Sequence, residues 1–366
     1  MNISSYQTIL LITIYRAIMS LTYLPVVNTP PGNQDVWIMI LLSIPYTIVF
    51  CFPILFLSNK FNDLTIIEYT EKIMGKVLGK IMGFIYAMIL LIFNIFTVGI
   101  LVEGLNTMMF PETPTWVTAS IMLITCAYVA YKGLEPMARG AEIFVPFILI
   151  VVLIFIILGY QNYDFTVLLP ILSDSKFKDI NKGAMYTAFR FLDIIILAMI
   201  APYLNNKEDL NKIFIQSVIY SLSIILLVTI VTQVSLGIEF AKYSNFPFFT
   251  FTRLINILDF IQRIDALYIV SWIVGNIGKI TGYLYFSALA FNQVFKKGDH
   301  KNYIIPITLI ILIAVILIKD KKSILGIKGL IEDIILVMSI LSIGILPIIT
   351  FMIYFFRRKT INKEGD

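Results

Sequence analysis

Five charged side chains stand inside long apolar runs of this chain: Arg16, Glu103, Arg190, Asp193 and Lys279. Bilayer hydrocarbon cannot hydrate them, and an unpaired charge facing lipid is costly. They are therefore expected to face the protein interior or a water-filled cavity. Arg190 and Asp193 lie in "YTAFRFLDIIILAMIAPYLNN", residues 186–206. Their i, i+3 spacing lets them touch on one face of a continuous helix. Two readings follow. Either they neutralise each other as a structural pair, or they line a polar cavity at mid-membrane. In the second reading Asp193 suits an ammonium, and Arg190 a carboxylate or a structural contact. Ser20 and Thr22 would contribute from the first apolar run, Asn94 from the third, and Trp272 and Asn276 from the eighth. Lys279, in "WIVGNIGK", would place a fixed ammonium where related transporters hold a sodium ion, or would serve as an interior partner for Glu103 or Asp193. Arg16, Glu103 and Lys279 together would form an intramembrane charge network.

Other chemistries find little support. His300, the single histidine, sits in the loop "KKGDHKN" and reads as solvated; no cluster has metal-ligand spacing. Cys51 and Cys126 lie in apolar runs and read as small buried hydrophobes, not a disulfide. No glycine-rich phosphate cradle, nucleophile elbow or catalytic carboxylate pair is present, so neither enzyme activity nor a cofactor is expected. The net charge of +5 comes from loop lysines and points to no nucleic acid partner.

The elements that must position these residues are membrane helices. Of 366 residues, 59% are hydrophobic and 14% charged, far from a soluble composition. The first apolar stretch lacks the basic n-region of a signal peptide and is too long for an h-region. Ten spans are expected in a lipid bilayer. They run from Tyr6 to Val27, Val36 to Leu57, Ile81 to Met109, Trp116 to Tyr131, Ala141 to Tyr160, Ala184 to Leu204, Ile213 to Leu236, Leu267 to Phe291, Tyr303 to Ile318 and Ile334 to Phe356. The lysine and arginine bias favours both termini inside. Two connections read as surface helices. "TIIEYTEKIMGKVLGK" opens with a capping-box pattern, Thr65 and Glu68, and puts Thr70, Met74, Val77, Leu78 and Ile81 on one face. "FTRLINILDFIQRID" puts Leu254, Ile257, Leu258 and Ile261 on one face, either as a lid or as a plain interfacial helix.

The first and sixth spans echo each other: "TIYR" ends at Arg16, "TAFR" at Arg190, and a proline follows each, Pro25 and Pro202. Ten spans divide into five plus five, as in transporters with inverted repeats whose interrupted helices bind ligand near the midplane. Freed N–H groups suit a carboxylate and freed carbonyls an ammonium, so such a site fits an amino acid. Neither span contains glycine; Ser20, Thr22 and Pro25, and Asp193 and Pro202, are the residues available to break them.

Four stretches resemble the B-subunit family of spore germination proteins, the spore permease branch of the amino acid–polyamine–organocation transporter superfamily. They are "QDVWIMILLSIPY" in the second span, "FPETPTWV" before the fourth, "GLEPMARGAEIFVPF" (133–147) entering the fifth, and "QRIDALYIVSWIVG" (262–275) entering the eighth. The family usually carries a glycine in its first span, where this chain reads "RAIMSLTYLP". The resemblance implies an all-α membrane protein with a LeuT-like five-plus-five inverted repeat. Repeat one would cover about 6–160 and repeat two about 184–357 of a single transmembrane domain, with 358–366 as a cytoplasmic tail. It further implies the membrane-embedded subunit of a germinant receptor in the inner membrane of a bacterial endospore. That subunit would work with an A subunit and a lipoprotein C subunit and sense a small nutrient such as an amino acid. The alternative is a proton-coupled amino acid permease. Arg139 and Glu142 are expected at the inner boundary, as a latch, a docking point for a partner subunit or a plain ion pair; Arg263 and Asp265 mark the matching place outside.

Overall fold

The structure is a computed structural model that describes residues 3–256, 264–321 and 328–363. Its helices are α1 (Ser5–Thr22), α2 (Val36–Lys60), α3 (Ile66–Met74), α4 (Lys76–Met108), α5 (Thr115–Lys132), α6 (Leu134–Leu158), α7 (Phe177–Phe189), α8 (Asp193–Ile200), α9 (Leu210–Leu236), α10 (Ile238–Tyr243), α11 (Pro247–Leu254), α12 (Asp265–Phe295), α13 (Lys301–Lys321), α14 (Lys328–Ser339) and α15 (Leu346–Lys363). Among the described residues, seven helical segments are long and apolar enough to cross a bilayer. The other three expected spans coincide with α1, α5 and α12.

Burial sorts the helices by role. All eight residues of α8 are buried, as is nearly all of α1. Around them pack α9, α6 and α12, with α4 against α12. α13 lies outermost and leaves Ile305, Leu309, Ile313 and Leu317 exposed, as a lipid-facing helix should. The N-terminus is tied inward by a parallel bridge. Ile3 N donates to Tyr203 O (2.9 Å), and Asn205 N donates to Ile3 O (2.9 Å).

Local chemistry explains several helix ends. Ser4 and Gln7 form a capping box on α1, and Thr65 and Glu68 form the expected one on α3. The amphipathic segment after Thr65 does not run on as one helix, however. Gly75 turns the chain with φ +85°, which separates α3 from α4. The buried face of α3 is Ile66, Ile67, Tyr69, Thr70 and Ile73, while Val77, Leu78 and Ile81 belong to α4 and are exposed. Of the other expected surface helix only 251–254 is helical, as the end of the mostly buried α11, and the chain leaves the helix at Ile255; Ile257, Leu258, Ile261 and Arg263 lie outside the described residues. The tenth expected span is helical on both sides of a π-helical stretch, Ile340–Ile345. Between α6 and α7 the chain is pinned by Asp35. This fully buried carboxylate accepts from Leu172 N (3.0 Å) and Ser175 Oγ (2.5 Å).

Candidate functional site

The sixth apolar run is two helices. α7 ends at Phe189 and α8 begins at Asp193. Through the gap the backbone tightens to i→i−3 bonds: Phe191 N to Ala188 O, Ile194 N to Phe191 O and Ile195 N to Leu192 O. No side chain caps α8. The break needs neither glycine nor proline. Arg16 of α1 donates from Nη2 to the Thr187 carbonyl at 2.8 Å, and its guanidinium lies 4.6 Å from the Phe191 ring centroid. Contacts from a neighbouring helix thus meet the chain on both sides of the gap.

The break undoes the expected Arg190–Asp193 contact, because i, i+3 neighbours meet only on a continuous helix. Arg190 instead donates to Thr29 Oγ1 (2.7 Å). Asp193, 2% exposed, accepts from Tyr283 Oη at 2.8 Å and pairs with Lys279 Nζ at 3.5 Å. The Lys279 ammonium also donates to the Tyr15 carbonyl and lies 5.2 Å and 5.5 Å from the ring centroids of Phe93 and Tyr283. Of the two partners considered for Lys279, the structure shows Asp193.

These groups border a cavity of about 60 Å³ whose lining includes Arg16, Ser20, Arg190, Asp193 and Lys279. Arg16 is buried, and its Nε has no hydrogen-bond partner among the described residues. At about 10–15 Å³ per water the space holds a few waters, or a small ligand after modest adjustment.

Other candidates make hydrogen bonds within the fold. The Thr22 hydroxyl donates to Ile18 O (2.8 Å) and accepts from Trp272 Nε1 (2.9 Å), which ties α1 to α12. Asn276 Nδ2 binds Trp272 O within its own helix (2.9 Å), and Asn94 Nδ2 binds Ile280 O across helices (3.3 Å). Ser20 reaches the cavity, but its hydroxyl donates to Ala17 O (2.6 Å). Glu103 is buried on α4 away from the cavity lining. The first span breaks between the expected Thr22 and Pro25: α1 runs unbroken past Arg16 to Thr22, and the chain turns at Leu24, with φ +45°.

Three participants were not foreseen: Tyr283, Phe93 and the Tyr15 carbonyl. Tyr283 was legible, because it stands four residues after Lys279 on one helix face. A backbone carbonyl carries no sequence signal.

At the periphery, Arg139 pairs with Glu135 (2.5 Å), one helical turn before it, and not with Glu142. His300 is not simply solvated. Its Nδ1 lies 2.7 Å from Asp299, and its ring meets Tyr285 edge-on at 5.2 Å. Burial pushes its pKa below the ordinary imidazole value, against the pull of Asp299. Cys51 and Cys126 are free and buried, as expected.

The fold is that of MhsT, a protein solved in complex with L-phenylalanine, with a TM-score of 0.67 over 94% of this chain and 87% of that one. At 16% identity that likeness speaks to the LeuT-like fold alone. Among characterised sequences, spore germination protein KB of Bacillus subtilis is 23% identical, covering 88% of this chain and 86% of its own length. Spore germination protein XB of Bacillus anthracis is 25% identical, covering 78% and 79%. Across residues 2–324 the chain matches the spore permease family, described as "Spore germination protein", and it belongs to that family.

Proposed function

We propose that this chain is the membrane-embedded B subunit of a spore germinant receptor, sensing a small nutrient of the amino acid class at the α7–α8 break. The observation that carries the reading is a helix break beside buried charges of both signs that border one cavity. A ligand carboxylate would bind at Arg16 Nε, beside the start of α8. Its ammonium would meet Asp193, which lines the same cavity. Lys279 acts as a built-in cation, held by a carbonyl, a carboxylate and two ring faces, so ligand binding requires no sodium. Five-plus-five inverted repeats, an endospore inner membrane and A and C partner subunits complete the proposal. Family membership supports them.

Ligand binding need only bias the equilibrium between two arrangements of α7 and α8, with or without release of the ligand to the other side. The test is germination of spores carrying Asp193→Asn against a panel of single amino acids, scored by loss of refractility at matched protein level. Selective failure toward one or a few nutrients is expected. Normal germination to every nutrient, with uptake of labelled amino acid by vesicles containing the purified chain, would overturn the receptor reading for a permease.

A further inference from the structure

A second and larger cavity lies apart from the charge cluster. It measures about 430 Å³ and is bounded by α1, α5, α6 and α12. Its walls are overwhelmingly apolar. One side is formed by the exposed residues Tyr128 and Phe144, so it opens sideways between α5 and α6 toward bilayer hydrocarbon. Lys132, the last residue of α5, stands at one end of the opening. It is exposed, has no ion-pair partner among the described residues, and lies 5.2 Å from the Tyr128 ring centroid. From α1, Leu11, Ile14 and Tyr15 line the inner wall. They lie about 9–15 Å along that helix from its start, so the groove runs from the membrane surface into one leaflet.

We infer that this groove binds one anionic phospholipid, its acyl chain lying between α5 and α6 and its phosphate on Lys132. Open hydrocarbon on one side and a cation at the polar end match an acyl chain with a negatively charged head group. The expected inside-facing end of α5 is also where anionic lipid is concentrated. Gly278 faces the open space of the groove. A Cβ added there meets nothing within 4 Å, whereas one added at neighbouring Gly275 would come within 2.5 Å of Ile18. One residue connects the groove to the charge cluster: the Tyr15 side chain lines the groove, while the Tyr15 carbonyl holds Lys279. Lipid occupancy therefore bears on the pose of Lys279 and Asp193. The lipid site itself stands whether or not the nutrient reading holds.

The test uses the full chain in detergent, with dioleoyl phosphatidylglycerol and dioleoyl phosphatidylcholine as probes. Native mass spectrometry is expected to count one retained phosphatidylglycerol on the wild type and on Gly278→Ala. Gly278→Phe fills the groove and should retain none while eluting as the same monodisperse species. Lys132→Gln, at an exposed position, should lose the preference for phosphatidylglycerol over phosphatidylcholine. Equal retention of both lipids by the wild type, or undiminished retention by a folded Gly278→Phe, would overturn the site.

Discussion

Lys279 and Asp193 are 1% and 2% exposed and reach each other from different helices. Removing one partner of such a pair leaves a buried charge uncompensated, at a cost of about 3–5 kcal/mol. Lys279→Met should therefore lower the thermal midpoint of the detergent-solubilised protein sharply. The double variant Asp193→Leu/Lys279→Met should recover most of the loss, because replacing both charges with apolar groups is often close to neutral. An additive double mutant would show that the two do not act as a pair. His300 supports a pH prediction. Its native pKa is lowered by burial, so on acidification the unfolded chain takes up a proton that the native state resists. Stability should fall as pH drops through about 6.5, the ordinary imidazole value, toward the lower native value. His300→Gln should flatten that limb of a plot of melting temperature against pH.

At the scale of elements, the α7–α8 gap and the Asp35 clasp are both held from outside their own segments. Asp35 sits at the N-cap of α2, yet its carboxylate satisfies the Leu172 amide and the Ser175 hydroxyl in the connection leading to α7. Asp35→Ala removes the acceptor shared by the Leu172 amide and the Ser175 hydroxyl, a loss of about 1.5–3 kcal/mol for a hydrogen bond to a charged group. Limited proteolysis of the variant should show faster cleavage between 163 and 176, with the helices themselves unaffected. Unchanged cleavage would mean the connection is held by its other contacts, such as Gln34 Nε2 to Pro170 O and Asp174. The α3–α4 turn shows the same dependence on local detail. An amphipathic pattern that reads continuously is divided at Gly75 by one positive φ.

For the molecule as a whole, polar and charged groups gather inside, and large apolar side chains cover the exterior. Ile124 on α5 is 68% exposed and Ile313 on α13 is 56% exposed. In water such exposure would be a liability; in a bilayer it is the correct surface. Ile124→Arg should therefore reduce membrane insertion, with a cost of about 2.5–3.5 kcal/mol at a helix centre. Fractionation of expressed protein between membrane and aggregate checks this. A soluble protein would tolerate the same change on its surface.

The helical, membrane-spanning class was legible in the sequence because hydrocarbon thickness sets a run length that can be counted along the chain. So were the buried charges, since no other solvent is available to them, and the family, through segments such as "GLEPMARGAEIFVPF" that lie at helix entries. Which charges meet was decided only in three dimensions. Spacing paired Arg190 with Asp193, but the helix opens between them. Asp193 then finds Lys279 and Tyr283 on a helix 86 and 90 residues away in the chain. Of the residues expected as ligand contacts, Thr22, Trp272 and Asn94 make hydrogen bonds between helices, and Asn276 makes one within α12. A backbone break without glycine or proline, and a carbonyl such as that of Tyr15 accepting from an ammonium, depend on what neighbouring helices press against them. That information resides in the packed fold and in no single stretch of the chain.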